Sequence, residues 1–168
     1  PRSTLFPYTT LFRSGRKVVK IVTGGGQGVG QGGPFTVALA DDGSLWAWGY
    51  GDFSGVLGNN SYSTFGTANL SAPFPVGPLD GGRKAVDIAA GSTHVLAFAE
   101  DGTLWSWGTG MFGQLGTGST IQSFLPARVT LLPGGMKATA IACGAYHSLA
   151  IAEDGSIWGW GGNKHGEL

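Results

Sequence analysis

One phrase recurs three times in this chain: DGSLWAWG at 42–49, DGTLWSWG at 101–108 and DGSIWGWG at 154–161. The spacings are 59 and 53 residues. Repetition at that period means stacked units, because one such unit cannot bury its own apolar face. The flanking pieces recur in the same order. GRKVVKI (15–21), GRKAVDI (82–88) and GMKATAI (135–141) precede each Trp phrase. GGPFTVALADD (32–42), GSTHVLAFAED (91–101) and GAYHSLAIAED (144–154) lead into it. FSGVLG (53–58), MFGQLG (111–116) and KHGEL (164–168) follow it. A Pro–Val element closes the first two units, at Pro75-Val76 and at Pro126 to Val129.

Each unit reads as short strands joined by tight turns. Asp-Gly is a hairpin signal: Asp accepts local backbone hydrogen bonds, and Gly takes positive φ without Cβ strain. Trp46 and Trp48 lie two apart, so they share one face of their strand; Leu45 and Ala47, on the other face, are apolar too. The same holds for Trp105 with Trp107 and for Trp158 with Trp160. A strand apolar on both faces must be covered on both, which is unusual in an antiparallel sheet. A β-propeller meets the demand, because each four-stranded blade is sandwiched between two neighbours. The tryptophans are therefore expected to pack between blades. Composition agrees: Gly contributes 32 of 168 residues, aromatics 11% and charged residues only 12%. Long helices would need more Ala, Glu, Lys and Leu.

The combination GxxHxLAxxxDGxxWxWG followed by FGQLG, at this spacing, resembles the regulator of chromosome condensation repeat family. The resemblance covers residues 15–168. It implies an all-β, seven-bladed propeller, of which about three blades would be present here, at about 15–81, 82–134 and 135–168. Three units cannot close a ring and leave an uncovered face. The chain is therefore expected to be a fragment.

Residues 1–14 have no counterpart in the units. Within them, TLFPYTTLFRS (4–14) matches, residue for residue, the in-frame translation of a common short-read sequencing adapter. They are read as an assembly artefact outside the fold. Without Arg2 and Arg13, eight basic residues face ten acidic ones. No basic run is present, so nucleic acid is not an expected partner. No apolar run reaches membrane-spanning length, and membrane insertion is not expected.

The Gly-rich stretch at 24–33 contains a formal GxGxxG at Gly28, Gly30 and Gly33. A dinucleotide site would need a helix to open there. A strand and a hairpin follow instead, and the first unit simply carries an insertion between two strands relative to the others. Gly26, Gln27, Gly28, Val29, Gly30 and Gln31 form a candidate partner-binding loop, since loops on a rigid scaffold are where partners bind.

His94 and His147 occupy equivalent repeat positions and are read as structural turn residues, not as two ligands of one metal. His165 takes the place of Phe112. Zinc-type spacings and nucleophile elbows are both missing. Cys143 reads as a small buried strand residue. With no catalytic constellation, no metal set and no cofactor motif, the expected function is a non-catalytic protein-interaction scaffold with a protein partner. Two alternatives remain: an extracellular or cell-surface binding module of a larger bacterial protein, and an exchange factor for a small GTPase.

Overall fold

The computed structural model describes residues 15–26, 33–51, 54–60, 70–132 and 135–168. Residues 1–14, and residues 27–31 of the candidate loop, lie outside these.

Among the described residues, eleven strands form three antiparallel sheets. The first comprises β1 (Val18–Gly24), β2 (Phe35–Ala40), β3 (Leu45–Gly49) and β4 (Leu70–Pro75), paired in chain order. The second comprises β5 (Ala85–Ala90), β6 (His94–Ala99), β7 (Leu104–Gly108) and β8 (Ser123–Arg128), in the same order. The third has β9 (Ala138–Cys143), β10 (His147–Ala152) and β11 (Ile157–Gly161). β1 neighbours β5, and β5 neighbours β9, so the first strand of each sheet lies along one common edge of the stack. This is the blade arrangement of a β-propeller.

Register repeats with the sequence. Ala38, Ala97 and Ala150 stand opposite Trp46, Trp105 and Trp158. A small residue opposite each indole gives the ring room on the sheet face. The hairpins close as the Asp-Gly pairs demand. Gly43, Gly102 and Gly155 sit at φ of 82°, 81° and 83°. Asp42, Asp101 and Asp154 accept from the backbone N–H two residues on, at 3.0, 3.0 and 2.9 Å.

The core lies between sheets. One cluster joins Val37, Leu39, Leu45 and Ala47 of the first sheet to Ile88, Val95, Ala97, Trp105 and Trp107 of the second. Another joins Leu96, Leu104 and Val129 of the second to Ala138, Ala150 and Trp160 of the third. Strand alternation sorts the side chains: Val95 and Ala97 face one neighbour, Leu96 the other. Accordingly every residue of β7, in the middle blade, is buried, whereas β3 and β11 are only partly so. Complete burial of an indole such as Trp107 removes about 200 Å² from water. At about 25 cal/mol per Å² that is worth about 5 kcal/mol before entropic costs.

Candidate functional site

The two tryptophans of each phrase have different tasks. Trp107 donates its Nε1–H to the Val56 carbonyl, and Trp160 donates its own to the Gln114 carbonyl, both at 2.9 Å. Each bond crosses from one blade to the Gly-x-Leu-Gly loop of the preceding blade. Gly58 and Gly116 close those loops at positive φ. A Cβ there would lie 2.8 and 2.7 Å from Nε1 of Trp107 and Trp160, so only glycine lets the loop seat on the indole. Trp48, the equivalent residue of the first unit, stands opposite Thr36 and is half-buried.

The other tryptophan bonds within its own hairpin. Trp46, Trp105 and Trp158 donate Nε1–H to the hydroxyls of Ser44, Thr103 and Ser156, at 3.1, 3.0 and 2.8 Å. Those hydroxyls donate onward to Asp42, Asp101 and Asp154, each at 2.6 Å. The Ser44 bonds, with Arg16 adding its charge, hold the Asp42 carboxyl down at about 2. Thr103, and then Arg83, do the same for Asp101.

His94 and His147 open strands β6 and β10 instead of lying in the turns before them. His94 is fully buried, with Nε2 3.0 Å from the Ser148 hydroxyl. That hydroxyl donates to the Gln114 carbonyl at 2.8 Å. Ser148 has one hydrogen and spends it there, so its oxygen accepts from His94 and Nε2 carries the imidazole proton. Nδ1 is then a buried acceptor with no partner among the described residues. Burial pulls the His94 pKa down to about 4, and His147 nearby adds to the shift. The ring packs against Gly91, as that of His147 does against Gly144. A side chain at either glycine would occupy the space of the ring. Cys143 stands opposite Ser148 and is partly buried; desolvation raises its thiol to about 12.

These shifts point away from reactivity. A thiol near 12 is not a nucleophile at neutral pH. The imidazole of His94 has no solvent access, and Asp42, Asp101 and Asp154 have carboxyls held lower than usual. A general acid or base works best with a pKa near the operating pH, and none of these groups is tuned there. Among the described residues no cluster of His, Cys, Asp and Glu could hold a metal ion. Among the described residues no helix is long and apolar enough to cross a membrane.

What the blades offer is surface. The β7–β8 loop presents Met111, Phe112 and Ile121, exposed by 72%, 53% and 74%. Phe112 makes a tilted ring contact with Tyr146 of the next blade, with centroids 5.2 Å apart and planes at 57°. Gly26 is half-buried after β1. The neck of its loop is pinched: a Cβ on Gly25 would lie 2.7 Å from the Gly33 carbonyl. The structure thus brings His94 together with Ser148, and Trp107 and Trp160 with the Gly-x-Leu-Gly loops. It spreads the remaining tryptophans among separate hairpins. Ser148, Gln114 and the Val56 carbonyl are seam residues that sequence reasoning missed. The repeated Gly-x-Leu-Gly was visible, but not what its carbonyls accept.

Family comparison agrees with the repeat architecture. The model of the regulator of chromosome condensation (RCC1) repeat matches residues 42–98 and 101–151, and a second RCC1 repeat model matches 85–114 and 138–167. The chain belongs to the RCC1 repeat family. It is 38% identical to the ultraviolet-B receptor UVR8 of Arabidopsis thaliana over 79% of this chain and 29% of the receptor. It is 34% identical to the human E3 ubiquitin-protein ligase HERC2 over 98% of this chain and 3% of that protein. Among solved structures, yeast RCC1 (Prp20) bound to Kap60 superposes with a TM-score of 0.69 at 26% identity, covering 87% of this chain and 32% of that one. The RCC1 repeats here thus span under a third of the receptor and of the yeast protein.

Proposed function

We propose that this chain is a stretch of a non-catalytic, protein-interaction propeller. The observation that carries this reading is the contrast between sealed seams and an open loop. The blades are locked by indole–carbonyl bonds and apolar clusters, while Met111, Phe112 and Ile121 stand in solvent on the loop between β7 and β8. An exposed apolar patch on a rigid scaffold marks a protein contact more often than a catalytic site. The similar yeast RCC1 protein has been crystallised with Kap60. A related structure is described together with the binding properties of Prp20p to Gsp1p and histones. Those facts belong to the yeast protein, and they support a protein partner for this RCC1-repeat chain without naming it.

The test is affinity capture from the source organism with the chain as bait, beside a triple variant Met111→Ser, Phe112→Ser, Ile121→Ser. A partner held by the unaltered chain and lost by the variant supports the reading. Equal capture by both refutes this loop as the contact. The adapter-like segment 4–14 is proposed to be foreign to the protein, and long-read sequencing of the source DNA decides it.

A further inference from the structure

At the opposite end of the blades from that loop, a cleft of about 530 Å³ opens between the first and second sheets. Its walls are the β2–β3 hairpin, the segment after β4 and the approach to β5. Arg16, Arg83 and Lys84 line it, with Asp42 as its one carboxylate; Trp46 and Pro78 supply apolar wall. Arg16 is paired with Asp42 and Arg83 with Asp101, so Lys84 supplies the cleft's unpaired positive charge.

The carboxylate is already satisfied. Asp42 Oδ1 accepts from the Ser44 amide and hydroxyl, and Oδ2 accepts from Arg16 Nε. Because Arg16 uses Nε, its terminal Nη fork stays open, with no partner among the described residues. The Lys84 ammonium is exposed and equally unpartnered, its stem held against Gly43. Arg83 is more committed, donating to Asp101 and to the Asp80 carbonyl. At the next seam Arg83 and Lys137 take the places of Arg16 and Lys84, while Met136 replaces Arg83; the Arg16 counterpart there is the committed Arg83.

We propose that this cleft binds a short acidic peptide segment of a partner protein. One carboxylate takes the open fork of Arg16, a neighbouring one pairs with Lys84, and an apolar side chain between them rests on Trp46 and Pro78. A guanidinium fork matches a carboxylate in a two-point contact. The volume lies within the range of pockets for small ligands, enough for a few residues. A nucleic acid is the less favoured occupant, because backbone binding needs a basic track and not one short cleft. The proposal is independent of the loop patch: either can fail while the other stands.

Fluorescence anisotropy of a labelled Glu-Asp-Leu-Glu-Asp peptide, titrated with the full chain, tests it. The expected result is saturable binding, about tenfold or more tighter than for Gln-Asn-Leu-Gln-Asn and weakening as salt rises. Lys84→Glu, on an exposed side chain, is expected to weaken it about tenfold. Arg16→Gln does likewise, with circular dichroism reporting an intact fold, and Met111→Ser changes nothing. Absent binding, equal binding of the two peptides, an indifferent Lys84→Glu, or tighter binding of a labelled oligonucleotide would each overturn it.

Discussion

The Gln114 carbonyl accepts two hydrogen bonds, from Trp160 Nε1 at 2.9 Å and from the Ser148 hydroxyl at 2.8 Å. The Val56 carbonyl, its counterpart one blade earlier, accepts from Trp107 Nε1. No other donor reaches it among the described residues. This difference makes the two tryptophans unequal. Trp160→Phe leaves Gln114 paired and is expected to cost about 1 kcal/mol, whereas Trp107→Phe strands a buried acceptor and costs about 2–3 kcal/mol. Urea denaturation of both variants checks the order.

Acid should weaken the second seam before it weakens the hairpins. His94 has a folded pKa of about 4 against an ordinary 6.5. Between those values the unfolded chain binds the proton and the folded chain does not. Stability is therefore full above pH 6.5 and falls as pH drops toward 4, by up to about 3 kcal/mol. Among the described residues, the groups facing His94 are Ser148, His147 and the backbone at Gly91 and Gly144, with no carboxylate in contact to compensate. The first unit carries Phe35 at this position. His94→Phe is accordingly expected to flatten the dependence between pH 6.5 and 4, read by denaturation at pH 7 and 4.5.

Gly116 and Gly155 both have positive φ, at 65° and 83°, but only Gly116 has an indole beneath it. Gly155→Ala carries the left-handed backbone cost of about 1 kcal/mol. Gly116→Ala adds a clash with Trp160 and is expected to cost about 3 kcal/mol in all. Equal losses in thermal denaturation would contradict the seating of this loop on the ring.

Asp101 holds the Thr103 amide and hydroxyl and pairs with Arg83 of the same blade at 2.6 Å. Asp154 serves the same hairpin role with Ser156 but has Met136 where Arg83 would stand. Asp101→Asn should therefore destabilise more than Asp154→Asn. With the pair side chains 33% and 39% exposed, solvent screening limits the Asp101 loss to about 1 kcal/mol. Added salt should narrow the gap between the variants.

Local rules written into the repeats decided much of this protein. Asp-Gly placed the three hairpins, the alternation around Trp105 and Trp107 put both rings on one face, and the triple phrase announced stacked blades. These are short-range facts, set by φ preference and by period-two geometry, and they need no knowledge of neighbours. Only the tertiary structure decided what crosses between blades. His94, read as a turn residue, became the first residue of a buried strand through its pairing with Gly108, and its ring meets the Ser148 hydroxyl from 54 residues away. The Gly-x-Leu-Gly carbonyls became indole acceptors, and Arg16 and Lys84 came to share a cleft. Such pairings depend on the register of one sheet against the next. That register is fixed by packing of complete faces, and no single stretch of chain contains it.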